Sequence, residues 1–336
     1  MINLPSWMFL SSYKELRARL LTKQTVHSLI HLGRGVFGAD FGAVAFVVNN
    51  RLAGYDTKFL ARRLFEKFSI VRTNSEIEEL FRDQSYGTHR VRQSSLRNIP
   101  DSPIAYWLSE KAIKAFSSGT ALSEIARPRQ GIKTGDNERF LRFWHEVASE
   151  KSALTEQRHE AQKGSARWFP CTKGGAFRRW YGNCDYLVNW ESDGHEIRNF
   201  FDANGKLRSR PQNTQFFFVG GVTWSSLTIG SFSARLLPCH FAFESKGSSS
   251  PIKDITEAKN VLGFLNTSVV DKLISALSPT VDYSEGAIGK LPIIHIEPEK
   301  LNFADQAVRI AKSDWDAYET SWDFTTLPLL APEHRA

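Results

Sequence analysis

The chain has 336 residues, 41% hydrophobic and 24% charged, the balance of a folded globular protein and enough length for two packed domains. Its 43 lysines and arginines against 36 acidic residues leave a formal charge of +7, which suits a polyanionic partner. No apolar run reaches bilayer length, which excludes a helical membrane span, and residues 1–7 lack the basic head and apolar stretch of an export signal, so the cytoplasm is the expected location.

In chain order, residues 6–23 carry Leu10, Tyr13, Leu16, Leu20 and Leu21 at helical spacing and predict a surface helix. The short apolar segment Val26 to Leu32 ends in a glycine-rich turn and is followed by a buried-strand candidate, Ala43 to Val48, stopped by Asn49-Asn50. Helix, strand, turn and strand in that order imply an α/β arrangement. Residues 51–100 are polar and read as a connector, with a helix near Asn74 to Arg82 and strand-like material at Thr88 to Val91. A helix over residues 109–116 has Ser109 as its cap and Ser117-Ser118-Gly119 as its end, and the domain boundary is placed near residue 122.

Beyond it the pattern changes to short strands at Trp168 to Pro170, Asp185 to Trp190, Gln215 to Val219 and Phe232 to Leu236. Asn204-Gly205 is a tight-turn signal, because both residues accept positive φ. One long helix, Thr256 to Leu277, and a helical tail from Leu301 to Asp323 complete the expectation. The fold class is therefore α/β followed by α+β, the second part mainly antiparallel β with helical additions.

Gly33-Arg34-Gly35-Val36-Phe37-Gly38 matches the G-x-G-x-x-G dinucleotide fingerprint. The fingerprint needs a helix directly after its third glycine, whereas here the chain runs through Ala39 to Gly42 into strand residues, so a turn between two strands is expected. Cys171, Cys184 and Cys239 are too scattered for a disulfide framework, and the nine histidines show no zinc-ligand spacing. No metal is assigned.

Several long strings resemble one family. Residues 5–17, 29–33 and 37–48 look like the last third of the catalytic domain of adenine-modifying amino-methyltransferases. Residues 105–109 and 131–147 are similar to the entrance of the recognition domain in the PglX-like adenine-specific DNA methyltransferases of BREX phage-exclusion systems. The likeness continues through residues 173–183, 207–213, 221–226, 314–316 and 319–324. Residues 277–280 and 291–294 also resemble the end of recognition domains in type I restriction specificity subunits.

The resemblance implies three parts. Residues 1–122 would be the C-terminal part of a Rossmann-like methyltransferase sheet with a connector, 123–300 a DNA target-recognition domain, and 301–336 a helical tail. In that family an N-P-P-[YF] loop grips the flipped adenine, but no such tetrapeptide occurs here, Asn98-Ile99-Pro100-Asp101 being the nearest approach. The glycine-rich loop for S-adenosyl-L-methionine is likewise expected outside these residues. The chain is thus expected to supply target recognition, to have no catalytic or cofactor-binding residue of its own, and to be inactive alone. Its expected partners are double-stranded DNA and an N-terminal methyltransferase half or other phage-defence subunits; the alternative is a stand-alone specificity subunit.

Duplex DNA offers phosphates to any cation and base edges to a planar guanidinium. Three basic segments suit it: Lys133, Arg139 and Arg142 around the Gly131 to Asn137 turn; Lys173, Arg178, Arg179 and Trp180 in a glycine-containing stretch; and Lys206, Arg208 and Arg210 after Asn204-Gly205, with Gln212 and Asn213 as adenine readers. The competing assignment for each cation is a solvated surface charge, and for Trp180 and Trp224 core packing.

Overall fold

The structure, a computed structural model, describes residues 1–38, 40–154, 166–228, 230–279, 282–294 and 302–330. The chain forms two compact units: Met1–Ala121 with Lys272–Thr280 and Lys290–Ile294, and Leu122–Asp271 with Val281–Gly289 and His295–Ala336.

The first unit is built on a five-stranded sheet of β1 (Ile2–Asn3), β2 (Thr25–Arg34), β3 (Gly42–Asn49), β4 (Lys58–Arg63) and β5 (Thr88–Arg92), in the order β1-β3-β2-β4-β5. Only β2 and β4 run parallel, the Rossmann-like element of a mixed sheet; the other neighbours are antiparallel. A further short strand, β6 (Thr120–Ala121), pairs antiparallel with Pro292–Ile293. Residues 51–100 are therefore no mere connector, since they supply two strands. β5 matches the strand-like material expected at Thr88 to Val91, whereas the charge around β4 hid an alternation in which Phe59 and Ala61 point into the core while Lys58 and Leu60 face out. The helix Asn74–Arg82 starts on a capping box, Thr73 Oγ1 accepting from Glu76 N while the Glu76 carboxylate accepts from Thr73 N.

The continuous helix expected over residues 6–23 is broken into 3-10 turns at Pro5–Met8 and Ser11–Tyr13 and a helix at Lys14–Lys23. The cause is Arg17. Its Nη1 donates to the carbonyls of Trp7 at 2.9 Å and Leu10 at 2.7 Å, oxygens that a continuous helix would spend on the backbone N–H groups four residues on. Leu20 and Leu21 enter the core with Trp7, Met8, Leu29 and Val44, whereas Leu10, Tyr13 and Leu16 stay exposed.

His31 lies inside this unit on β2, its Nδ1 3.1 Å from the Tyr106 hydroxyl and its ring edge-on to Phe65. Burial first, and the nearby Arg63 charge second, push it down to about 3. The unfolded chain therefore binds the His31 proton more readily than the folded one. The stabilisation is complete above the unfolded value near 6.5 and drains away as pH falls toward 3, by up to about 1.4 kcal/mol per pH unit. Hydrogen exchange in β2 should accelerate over that window, and His31→Gln should flatten the dependence; an equal pH slope in the variant would refute the assignment.

The second unit holds a four-stranded sheet and a three-stranded one. The first comprises β7 (Leu141–Phe143), β8 (Trp168–Thr172), β9 (Tyr186–Asn189) and, beyond β10 (Gly221–Trp224) and β11 (Ala234–Leu237) in the chain, β12 (Ala242–Phe243), in the order β12-β8-β9-β7. It is antiparallel apart from the β12–β8 pair. The second is an antiparallel β11-β10-β13 sheet, β13 being Ser249–Pro251. Trp224 is fully buried and donates its indole N–H to the Tyr283 carbonyl at 2.9 Å, so it is core packing.

Two expectations fail here. Gln215 to Val219 is not a strand: Thr214–Phe216 form a 3-10 turn between Asn213 and Phe218, both at positive φ. Its consecutive aromatics cannot share one face of a strand; the turn lets Phe217 stack edge-on against Trp190 and Phe243, and Phe218 against Phe169. The single helix Thr256 to Leu277 is two, Ile255–Leu265 and Ser268–Leu277. Buried Asn266 breaks it by acting as a strand partner, bonding both the N–H and the carbonyl of Ala234 at 3.0 Å. The tail is helical over Asn302–Asp316 and continues as turns.

Candidate nucleic-acid interface

All three basic segments lie in the second unit. The Gly131 to Asn137 turn is gripped on both sides. A Cβ at Gly131 would sit 1.8 Å from the Phe243 carbonyl oxygen, and Ile132 exchanges backbone hydrogen bonds with Phe243 and Ser245. On the other side Lys133 and Arg210 exchange both backbone hydrogen bonds, at 3.1 and 2.7 Å. Gly135, at φ +75°, passes so close to Arg208 that a Cβ would lie 2.6 Å from its carbonyl oxygen. Asp136 then caps the short helix Asn137–Phe140 by accepting from Arg139 N at 3.0 Å.

The Asn204-Gly205 turn forms as the sequence predicts. Asp202 accepts from the backbone N–H groups of Asn204 and Lys206, both at 2.9 Å, and Gly205 adopts φ +76°. Through the Lys133–Arg210 pairing, two segments distant in sequence put Lys133, Arg208 and Arg210 on one exposed, backbone-fixed platform. Arg139 and Arg208 lean over the Phe200 ring at 4.9 and 4.8 Å. Arg139 also pairs with Glu196 at 2.8 Å, and both line an open cavity of about 410 Å³ with His195, Asn199, Phe200 and Phe201. Arg142 is turned inward, over the Trp168 ring and onto the carbonyls of Glu138 and Leu141.

The remaining basic stretch is held differently. Arg178 pairs with Asp314 at 3.2 Å and lies over Trp315; Arg179 pairs with Asp271 at 3.3 Å. Trp180, at φ 75°, is locked by backbone hydrogen bonds to Ala234 and Leu236. Lys173 rests over the Tyr186 ring at 4.5 Å. Among the described residues no carboxylate pairs with Lys133, Lys173, Lys206, Arg208 or Arg210, unlike Arg178 and Arg179.

The adenine-reader candidates already spend part of their amides. Gln212 Nε2 donates to Gln130 Oε1 at 2.8 Å, and Asn213 Nδ2 donates to the Gln130 carbonyl at 2.9 Å. Asn213 Oδ1 accepts from Arg129 Nη1 at 3.2 Å. Arg129 and Gln130 lie outside the three basic segments expected from sequence; the available signal was Arg127-Pro128-Arg129-Gln130 running directly into the glycine turn.

In the first unit, β2 ends at Arg34, Val36–Gly38 make one 3-10 turn and β3 begins at Gly42. No helix N-terminus follows these glycines, so the string does not fit a donor or dinucleotide cradle. Asn98-Ile99-Pro100-Asp101 is structural, with Ile99 in the core and Asp101 paired with Lys290. Among the described residues no group of three or more His, Cys, Asp or Glu is placed to hold a metal, and no helix is long and apolar enough to cross a membrane. Cys171 and Cys184 are buried, and burial pushes the Cys184 thiol up to about 12, the environment of an inert structural thiol.

No family model matches the chain. It is 36% identical over 347 residues to the adenine-specific methyltransferase PglX of Lacticaseibacillus casei (strain Zhang), covering 100% of this chain and 28% of that protein. It is 34% identical over 348 residues to the adenine-specific methyltransferase BrxX of Escherichia coli O9:H4 (strain HS), covering 99% of this chain and 26% of the relative. Its fold is similar to part of the type IIL restriction-modification enzyme MmeI, solved in complex with DNA, with a TM-score of 0.55 and 10% identity over 100% of this chain and 44% of that one. The chain is thus related to the PglX and BrxX adenine-specific methyltransferases and spans about a quarter of their length.

Proposed function

We propose, from that relationship, that this chain supplies DNA target recognition to a site-specific adenine methyltransferase of a BREX-type phage-defence system. The observation that carries the reading is the platform of Lys133, Arg208 and Arg210, which pair with no carboxylate among the described residues and whose backbones are fixed, Lys133 and Arg210 by mutual pairing and Arg208 by its bond to the Phe200 carbonyl. Cations left unneutralised on a rigid frame are what phosphate contacts need: they set affinity and register, and leave base edges to neighbouring side chains. Arg139, Lys206, Gln212 and Asn213 adjoin that surface along the chain, and Arg142, Lys173, Arg178, Arg179 and Trp180 complete the candidate set in this reading.

Methyl transfer in this proposal depends on residues beyond these 336, because the N-P-P-[YF] tetrapeptide is not among them. S-adenosyl-L-methionine would be held by an N-terminal methyltransferase half or a companion phage-defence subunit in the cytoplasm. The same missing tetrapeptide favours one second reading, a stand-alone DNA-specificity subunit like those of type I restriction systems. The test is direct: the purified chain should bind duplex DNA with steep salt dependence and transfer no labelled methyl group from S-adenosyl-L-methionine by itself. Transfer resumed on adding a PglX-type partner that carries N-P-P-Y would favour the first reading, and binding unaffected by that partner the second. Methyl transfer by the lone chain, or no duplex binding at low salt, would sink both.

A further inference from the structure

We propose that Arg129 is a DNA-contacting residue whose guanidinium is set to take a pair of acceptor atoms on duplex DNA, either two oxygens of one phosphate or O6 and N7 of one guanine. The inference rests on the DNA-recognition reading above and names a residue and its chemistry within it. Arg129 is fixed at the backbone, where it exchanges hydrogen bonds with Ser249 of β13 at 2.7 and 3.0 Å. Its guanidinium carbon lies 3.8 Å from the centroid of the Phe216 ring, and Nη1 donates to Asn213 Oδ1 at 3.2 Å. Asn213 is itself held, by its left-handed backbone at φ 56° and by its bond to the Gln130 carbonyl. The guanidinium plane is therefore defined from two directions.

Its charge is not matched. Among the described residues no carboxylate pairs with Arg129, and after burial the largest influence on it is the like charge of Arg127, both lowering its proton affinity. A half-buried arginine beside a second arginine, with one N–H used by Asn213 and no other hydrogen-bond partner among the described residues, favours an acceptor from outside. Stacking and the asparagine bond supply in advance the side-chain ordering that binding would otherwise cost.

Binding is measured with the full chain on a pool of duplexes of randomised centre, across a salt series. Arg129→Met keeps the stem over Phe216 and removes the fork, and is expected to lower affinity by about ten-fold or more. If the contact is to guanine, the loss falls on duplexes carrying one preferred base pair and the salt slope stays the same. If it is to phosphate, the loss is uniform across sequences and the slope drops by about 0.9. Asn213→Ala, which loosens the guanidinium without removing it, should reproduce the same pattern at smaller amplitude, and Arg129→Lys should lose several-fold because an ammonium lacks the fork. Arg309→Met, on the exposed face of the helix Asn302–Asp316, should change nothing. Wild-type affinity, slope and sequence preference in folded Arg129→Met, or in Arg129→Lys should the first variant not fold, overturn the proposal. A wild-type chain that binds no duplex overturns the underlying DNA reading instead.

Discussion

Replacing Lys133, Arg208 and Arg210 together by glutamate is expected to weaken duplex binding by about five hundred-fold at 0.1 M salt, the largest functional effect among the substitutions considered. Each phosphate contact contributes about 0.9 to the slope of log affinity against log salt. Three contacts therefore account for about 2.7 units of slope, and at 0.1 M for about 2.7 decades of affinity. The Lys133 and Arg210 side chains are exposed and their structural role lies in their backbone pairing, which glutamate preserves, whereas Arg208 gives up its place over the Phe200 ring. The melting midpoint should therefore fall only by the equivalent of about 0.5–1 kcal/mol, one exposed cation–π contact. The contrast is the pair Arg178→Glu and Arg179→Glu. Those arginines are already engaged by Asp314 and Asp271, and reversal there sets like charges against each other, so stability should fall more than the salt slope. Equal slopes for the triple variant and the wild type would remove the phosphate platform from the account.

Local chemistry made some elements readable and long-range pairing hid others. The helix at Asn74–Arg82 carries its own start signal in Thr73 and Glu76, and the Ser109 cap and Gly119 stop bracket the helix Glu110–Ser118. The Asn204-Gly205 turn likewise needs only adjacent residues. By contrast, the break at Asn266 depends on Ala234, a strand residue that no helical pattern can reveal, and the strand β4 was masked by its charged residues. The candidate interface divides in the same way. Its cations and turns are visible as residue types, but that Lys133 faces Arg210, or that Asp314 engages Arg178 across 136 positions, follows only from the fold. Arg129 was missed because its significance lies in Phe216 and Asn213, neither of which is near it in sequence.

Arg17→Met should destabilise the first unit by about 3–5 kcal/mol, although it keeps an apolar stem of similar length. Arg17 is fully buried and acts as a donor hub: Nη1 serves the carbonyls of Trp7 and Leu10, while Nε and Nη2 together hold the carbonyl of Asp101 at 3.1 and 2.9 Å. Methionine offers no donor, so the Trp7 and Asp101 carbonyls lose their partner in or at the edge of the core, each at a cost of about 1–3 kcal/mol before water relieves part of it, while the Leu10 carbonyl keeps the Tyr13 N–H at 3.1 Å. The Asp101 and Ser102 backbones are also left-handed, at φ 63° and 51°, conformations that persist only while their surroundings enforce them. With the guanidinium gone, the corner is left to the Lys290–Asp101 pair and the bond from Ser102 N to the Ile99 carbonyl at 2.8 Å. Two units need not unfold in one step, so the informative measurement is hydrogen exchange resolved by segment. Protection should fall at residues 5–13 and 101–104, where the carbonyls of the hub sit, and should persist in β10 and β11 of the second unit. Unchanged exchange at residues 5–13 would show that the turns are held by Pro5 and the backbone alone, and that the break in the expected helix owes nothing to Arg17.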